Sequence, residues 1–324
     1  MMEYFLFFVG IFLLIQGAKW LVDGSVILAK KLGVSSLVIG LTVVAFGTSL
    51  PELFVNIFAA IKGTTDISFG NIIGSNIANI LLILGLSAMF SPIKVKRNTI
   101  WKEIPFSFLA ALIFFVLAHK NIFDGTDGMM YRSDGLVFIG FFIIFLYYVF
   151  ELAKREPLGQ DKLVVAHKHL DLTVLFFIVG GLFALFYGGR WTVQGAVFFA
   201  KQVGLSEYII SSTIIAVGTS LPELVTSFIA VRKAESDLAV GNAVGSNIFN
   251  IFFIMGLTLI ISPAKVPKVM FDFLTLGIAT FSLFLFMFIG KKHQLKKWQG
   301  CLFVLLSGGK ANSSKLCLRF SYLF

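Results

Sequence analysis

Long apolar stretches follow one another along almost the whole chain, and short polar segments separate them. An α-helix needs about 17 to 25 mostly apolar residues to cross the hydrocarbon core of a bilayer. Nine stretches come close to that length, and a weaker tenth begins at about residue 298. The pattern therefore predicts an all-α membrane protein with about ten transmembrane helices, the nine clear ones at approximately 4–28, 36–61, 69–90, 104–119, 135–153, 171–199, 208–231, 238–262 and 271–290.

The composition agrees with this interpretation. Of the 324 residues, 57% are hydrophobic and only 14% are charged, whereas about a quarter of the residues in a soluble domain are charged. Water is therefore not the main solvent of this chain, and a lipid bilayer is its expected surrounding.

The net charge of +10 is distributed unevenly over the loops. One set of alternate loops holds Lys30, Lys31, Lys94, Lys96, Arg97, Lys102, Lys154, Arg155, Lys162, Lys168, Arg232, Lys233, Lys291, Lys292, Lys296 and Lys297. The opposite set holds Lys62, Lys120, Arg132, Lys201, Lys265 and Lys268. Cytoplasmic loops carry the excess of basic residues, so the first set is predicted to be cytoplasmic and the N-terminus outside. This explains the charge without a nucleic-acid partner and indicates a cell membrane, the inner membrane of a bacterium or archaeon.

The chain contains an internal repeat, which sets its domain organisation. The segment Gly47–Leu53 recurs identically as Gly218–Leu224, and Gly74–Ile77 recurs as Gly245–Ile248, with 218 − 47 = 171 and 245 − 74 = 171. Five predicted spans separate equivalent points, so successive copies enter the membrane from opposite sides. Inverted repeats are typical of secondary transporters. The sequence thus predicts two inverted five-helix repeats, 1–153 and 171–324, joined by a short cytoplasmic linker at 154–170.

Each repeat carries one acidic residue inside an apolar stretch, Glu52 in the first and Glu223 in the second. An ionised carboxylate at membrane depth costs at least a few kcal/mol, so it is expected to face a cavity or a cation. The alternative is a structural acid paired with a basic residue such as Lys19 or Arg190.

The prolines beside these acids predict that each helix breaks. Pro51 and Pro222 have no amide hydrogen, so the carbonyl four residues earlier loses its donor. Broken backbone at membrane depth is tolerated where it is buried in protein or lines a cavity, and carbonyls at the end of a half-helix attract cations. In the first repeat the freed carbonyls are expected near Ala45, Gly47 and Thr48, and Thr48, Ser49 and Glu52 add oxygens on about one face.

A second helix in each repeat supplies further polar groups. Gly70 with Gly74, and Gly241 with Gly245, are small-residue pairs that allow close helix approach. The residues that lie four apart on one face of these helices are Ser75 with Asn79 and Ser246 with Asn250.

The candidate ligands are all oxygen atoms, as hard cations such as Ca²⁺ prefer. The four histidines lie outside the predicted spans, and zinc or copper would favour histidine and cysteine. Two carboxylates carry a formal charge of −2, which one Ca²⁺ or two to three Na⁺ can neutralise. Competition at one shared site would couple the movements of the two ions.

The paired G-T-S-x-P-E and G-S-N-I-x-N motifs resemble the α-repeats of the sodium/calcium exchanger family over roughly residues 4 to 290. The resemblance implies ten helices, with ions bound between helices two, three, seven and eight. It implies that Ca²⁺ is bound by Glu52, Glu223 and the carbonyls of Thr48 and Thr219. It implies that the flanking Na⁺ sites use Ser49, Ser220, Ser75, Ser246, Asn79, Ala45 and Ala216.

The chain departs from the family pattern in two places. Some sodium/calcium exchangers have aspartate where this chain has Asn250, so a third acid is missing and the coupling ion stays open. The fifth span should have a counterpart after Gly300, yet the apolar stretch there is short and is followed by Gly308, Gly309 and a polar run. The tenth helix is therefore in doubt.

We interpret the sequence as a secondary antiporter that exchanges Na⁺ for Ca²⁺ at a central acidic site. A proton/calcium exchanger, or an exchanger of another divalent cation, stays open, and a cation channel is a further alternative because acids and carbonyls also form selectivity filters. An enzyme is not expected, since the chain has no H-E-x-x-H motif. The expected partners are Ca²⁺, Na⁺ or H⁺ and lipid, with no cofactor and a monomeric assembly.

Overall fold

The computed structural model describes residues 2–120, 122, 125, 128–155, 172–204, 218–267, 269–288, 294–296 and 299. In these ranges the chain is almost entirely helical, as its composition predicts. The first repeat contains α1 Met2–Leu32, α2 Ser36–Thr48, α3 Leu50–Ile61, α4 Asp66–Phe90, α5 Arg97–Trp101, α6 Glu103–Ala118 and α7 Arg132–Arg155. The second contains α8 Leu172–Gln202, α9 Leu221–Arg232, α10 Ser236–Ile261 and α11 Met270–Phe286.

Within the described residues, six helices are long and apolar enough to cross a bilayer, and α2 with α3 forms a seventh, bent span. The bend between α2 and α3 is 47°, so the predicted span 36–61 exists in two pieces. The predicted span 208–231 is described only from Gly218, and the predicted tenth helix lies outside the described residues apart from Gln299. The count of ten helices therefore stays a prediction.

Two short antiparallel ladders mark the two ends of the helix bundle. They join β1 Ile93–Lys94 to β4 Gln294–Leu295, and β2 Met129–Met130 to β3 Ala264–Lys265. Because α6 runs from β1 to β2, the two ladders lie at opposite ends, which we call the β1–β4 end and the β2–β3 end. The strands β1 and β3 are repeat equivalents, since 264 − 93 = 171. Equivalent segments therefore reach opposite ends, as inverted repeats require.

The helices α1 and α8 pack with their backbones in contact through glycines. A Cβ atom on Gly17 would lie 2.8 Å from the carbonyl oxygen of Gly181, and one on Gly181 would lie 2.8 Å from the amide nitrogen of Leu21. Backbone atoms cannot move aside as a flexible side chain can. Small residues at helix contacts allow this approach in membranes, where van der Waals packing drives association.

We expect Gly181→Val to lower the stability of the folded protein, whereas Gly180→Val leaves it nearly unchanged. Overpacking costs about 1–3 kcal/mol, and the added carbon at Gly181 meets backbone. At Gly180 the nearest atom to an added Cβ is Phe176 Cε2, at 3.8 Å. Thermal unfolding of both variants in detergent measures the difference. Equal melting temperatures for the two variants would contradict the assigned contact.

Candidate cation site

Both acidic residues lie just after a break between two helix segments. Ser49 separates α2 from α3 with φ −83° and ψ 6°, and Ser220 precedes α9 with φ −88° and ψ 8°. Each proline lies in the first turn of the following helix, where a missing amide hydrogen removes no helical bond. The predicted breaks are therefore confirmed, and they occur one to two residues before Pro51 and Pro222.

The two carboxylates are buried and each is contacted by the serine of the other repeat. Glu52 and Glu223 are 0% and 1% exposed. Ser49 Oγ donates to Glu223 Oε1 at 3.0 Å, and Ser220 Oγ donates to Glu52 Oε1 at 3.4 Å. These reciprocal bonds bring the two broken helices together, so the acids of both repeats contribute to one shared site.

Pairing of these acids with basic residues, the structural alternative, finds no support in the described part of the chain. Neither Glu52 nor Glu223 forms an ion pair there with Lys19 or Arg190, and both of these basic side chains are exposed. A buried carboxylate without a basic partner needs another source of positive charge. A bound cation provides it.

The helices α4 and α10 complete the site with neutral oxygens. Ser75 Oγ donates to Glu52 Oε1 at 3.5 Å, and Ser246 Oγ donates to the carbonyl oxygen of Ala45 at 3.5 Å. The amides of Asn79 and Asn250 are each 1% exposed. The buried acceptor atoms that have no hydrogen-bond donor among the described residues include Glu52 Oε2, Glu223 Oε2, Asn79 Oδ1 and Asn250 Oδ1.

Buried polar atoms without partners are uncommon in proteins, and these four oxygens belong to the two acids and to the two amides on the helices beside them. An acceptor-only set of two carboxylates and two amides suits a hard cation such as Ca²⁺ or Na⁺. No group of three or more His, Cys, Asp or Glu occurs among the described residues. The acidity of the site therefore comes from two carboxylates.

The remaining predicted ligands are Thr48, Thr219 and Ala216, and the structure describes the first two of them. Thr48 is buried, and its hydroxyl lies 3.0 Å from both Val44 O and Asn242 Oδ1, so this side chain contacts α10. Thr219 is half-buried at the break before α9. Ala216 lies outside the described residues.

Four polar residues next to the site were not among the predicted ligands. Asn242 Nδ2 donates to Ser227 Oγ at 2.9 Å, and Asn56 Nδ2 donates to Asn71 Oδ1 at 3.3 Å. The two pairs are repeat equivalents, since 227 − 56 = 171 and 242 − 71 = 171. Asn71 and Asn242 could have been found from the sequence, because Gly70-Asn71 recurs as Gly241-Asn242. Their partners Asn56 and Ser227 are identified only by the structure.

On the side of the site that faces the β1–β4 end, α2 packs tightly against α10. A Cβ atom on Gly241 would lie 2.9 Å from the Leu37 carbonyl oxygen, and one on Gly245 would lie 2.8 Å from Ala45 Cβ. At the same end, Ser36 Oγ donates to Glu235 Oε2 at 3.1 Å. The close approach therefore leaves no space between these two helices.

The equivalent glycines of the first repeat, Gly70 and Gly74, have no atom of the described residues within 4 Å of an added Cβ. The segment 208–216, which corresponds to the part of α2 that packs against Gly241 and Gly245, lies outside the described residues. A cavity of about 600 Å³ lies between α3 and α8 and extends from Lys62 and Thr64 to Thr219 and Pro222. It reaches from the β2–β3 end to the residues next to Glu223.

These features define a class of protein. Two buried carboxylates, one from each repeat, lie together where the helices α3 and α9 begin. Secondary transporters have this construction, with the substrate near the midplane at the repeat interface.

The comparisons with known proteins identify the family. The model of the sodium/calcium exchanger protein family matches residues 2–151 and 173–307, and the chain belongs to this family. It is 31% identical to the sodium/calcium exchanger MaX1 of Methanosarcina acetivorans over 94% of this chain and 95% of that protein. It is 36% identical to the inner membrane protein YrbG of Escherichia coli over 82% of each. A structure of the sodium-calcium exchanger NCX_Mj, soaked with 2.5 mM Na⁺ and 0.1 mM Ca²⁺, aligns with a TM-score of 0.78 and 31% identity over 95% of this chain and 96% of that one. The protein is thus a membrane-embedded cation/calcium antiporter and not an enzyme.

Proposed function

We propose that this chain exchanges Na⁺ for Ca²⁺, and that both ions compete for the site between Glu52 and Glu223. The observation that carries the proposal is the reciprocal bonding of each acid to the serine of the opposite repeat. Two carboxylates held together by two repeats neutralise one Ca²⁺, and Na⁺ must displace it. The proposed ligands are Glu52, Glu223, Ser49, Ser220, Ser75, Ser246, Asn79, Asn250, the hydroxyl or carbonyl of Thr219, and the carbonyls of Thr48, Ala45 and Ala216.

The ions enter by alternating access between two repeats, residues 1–153 and 171–324. The β1–β4 end carries Lys94 and Lys96 of the lysine-rich loops, so by the positive-inside rule it faces the cytoplasm and the N-terminus lies outside. In this orientation the 600 Å³ cavity between α3 and α8 lies on the outer side of the site.

We expect Ca²⁺ uptake into liposomes to require an outward Na⁺ gradient. Purified protein is reconstituted with Na⁺ inside, and ⁴⁵Ca²⁺ uptake is followed after dilution into Na⁺-free buffer. Controls are liposomes with equal Na⁺ on both sides, liposomes without protein, and liposomes that carry a pH gradient instead.

Each outcome has one meaning for the proposal. Uptake that appears only with the Na⁺ gradient supports sodium coupling. Uptake driven only by the pH gradient would mean that H⁺ is the coupling ion instead of Na⁺. This is the leading alternative, because Asn250 stands where a third acid would be. Flux that dissipates any Ca²⁺ gradient without a countergradient would identify a channel and contradict exchange.

A further inference from the structure

Two asparagines that were not among the predicted ligands bind each other where α4 and α10 meet. Asn76 Nδ2 donates to the backbone carbonyl of Asn247 at 3.3 Å, and Asn247 Nδ2 donates to the backbone carbonyl of Asn76 at 3.2 Å. The two residues are repeat equivalents, since 247 − 76 = 171, and they are 0% and 1% exposed. We call this reciprocal pair the asparagine clasp.

Each clasp residue also holds a candidate ligand of the opposite repeat. Asn250 Nδ2 donates to Asn76 Oδ1 at 3.0 Å, and Asn79 Nδ2 donates to Asn247 Oδ1 at 2.9 Å. The clasp side chains therefore use both ends of their amides: the NH₂ group bonds a backbone carbonyl, and the oxygen accepts from a ligand amide.

This network decides which way the ligand amides point. The oxygen and nitrogen of an amide are assigned from their hydrogen-bond partners. A backbone carbonyl only accepts, so Asn76 must direct its NH₂ group at Asn247 and its oxygen at Asn250. Asn250 must then donate its own NH₂ group to Asn76 Oδ1, so Asn250 Oδ1 points away from Asn76. The same logic applies to Asn247 and Asn79.

The orientation matters because the two ligand oxygens have no other partner. Asn79 Oδ1 and Asn250 Oδ1 are buried and without a hydrogen-bond donor among the described residues. With the amides turned around, NH₂ groups would occupy these positions, and an NH₂ group repels a cation.

We propose that Asn76 and Asn247 are positioning residues that hold Asn79 and Asn250 with their oxygens towards the cation, and so set the cation affinity of the site. This inference rests on the proposed cation site at Glu52 and Glu223, and it holds for either coupling ion. An amide pair that only joined two helices would change stability on removal without changing cation affinity.

The test replaces Asn76 by leucine, which has nearly the same shape and no polar atoms. We expect Asn76→Leu to raise the half-saturating Na⁺ and Ca²⁺ concentrations about tenfold, the scale of one hydrogen bond to a charged group. The maximal rate should stay within roughly twofold, because the carboxylates and the path are unchanged. Asn247→Leu should behave alike, since the clasp is reciprocal.

A double-mutant cycle separates positioning from packing. If Asn76 acts through Asn250, Asn76→Leu should add little to the affinity loss of Asn250→Leu. Asn76 and Asn79 lie on one helix, and no side-chain hydrogen bond joins them among the described contacts. The affinity losses of Asn76→Leu and Asn79→Leu should therefore multiply in the double variant. If the affinity losses of Asn76→Leu and Asn250→Leu multiply in the double variant, the proposal is wrong.

Thr280→Val is the matched control, because Thr280 is buried and its hydroxyl donates only to Leu276 of its own helix, at 2.9 Å. It should leave both half-saturating concentrations unchanged. If Asn76→Leu does not give monodisperse protein, Asn76→Ser, which is too short to reach either partner, enters the same cycle.

Cation binding is read independently of transport as the shift of melting temperature in detergent with Na⁺ or Ca²⁺. Wild-type protein that binds cations but moves no Ca²⁺ would refute the proposed exchange and leave the clasp testable by the thermal shift. Wild-type protein that neither ion stabilises would overturn the clasp proposal as well, because no cation site would exist for it to orient.

Discussion

Glu52→Gln and Glu223→Gln should each reduce Na⁺-driven Ca²⁺ uptake to the background of protein-free liposomes. Glutamine keeps the shape of glutamate, and its oxygen can still accept from Ser220 or Ser49, so the helix breaks are retained. The variant site carries a formal charge of −1 instead of −2, which no longer neutralises Ca²⁺ in a buried setting.

The control for this experiment is Glu151→Gln on α7. Glu151 forms an ion pair with Lys154 at 3.5 Å, one turn along the helix and partly exposed. Such pairs contribute about 0–1 kcal/mol, so uptake by this variant should match wild type. Uptake above half the wild-type rate in either site variant would show that one carboxylate suffices, and the two-acid site would be wrong.

Gly245→Leu should stop Na⁺-driven Ca²⁺ uptake. Gly245 is closed in by Ala45 and the backbone of Leu41, at 2.8 and 2.9 Å from an added Cβ. Because Ala45 supplies a proposed ligand carbonyl, a leucine at Gly245 should displace that ligand. It should also destabilise the folded protein by about 1–3 kcal/mol or more.

Gly277→Leu is the control for this variant, because no atom of the described residues lies within 4 Å of its added Cβ. It should unfold at the wild-type temperature and exchange at the wild-type rate. Melting curves in detergent and ⁴⁵Ca²⁺ uptake measure the two effects. Wild-type uptake by Gly245→Leu would contradict the assigned contact between α2 and α10.

Much of the site could be predicted because it depends on local rules. A proline without an amide hydrogen interrupts its helix wherever the surroundings are apolar, and both breaks lie next to the predicted prolines. A carboxylate inside an apolar stretch needs a cavity or a cation. The identical offset of 171 residues indicated that these features occur twice.

The contacts across the repeats could not be read from the chain. Ser49 bonds Glu223, 174 residues away, and Ser220 bonds Glu52, 168 residues away. Spacing along the helix places Ser49 near Glu52 of the same repeat. It does not predict that Ser49 contacts Glu223 of the opposite repeat. Asn76 and Asn247 belong to a repeated motif, but the sequence assigns them no role. The role of a side chain that orients a ligand depends on its contacts, which only the structure provides.

The residue pattern thus determined the membrane environment, the duplication and the identity of the two acids, since helix length, proline chemistry and the cost of buried charge act within a few residues. Only the tertiary structure decided how the two repeats join. Ser49 and Ser220 each bond the acid of the opposite repeat, and Asn76 and Asn247 bond each other's backbone. Local preferences act within a few residues, whereas these bonds join positions at least 168 residues apart. They therefore exist only when the two repeats pack together.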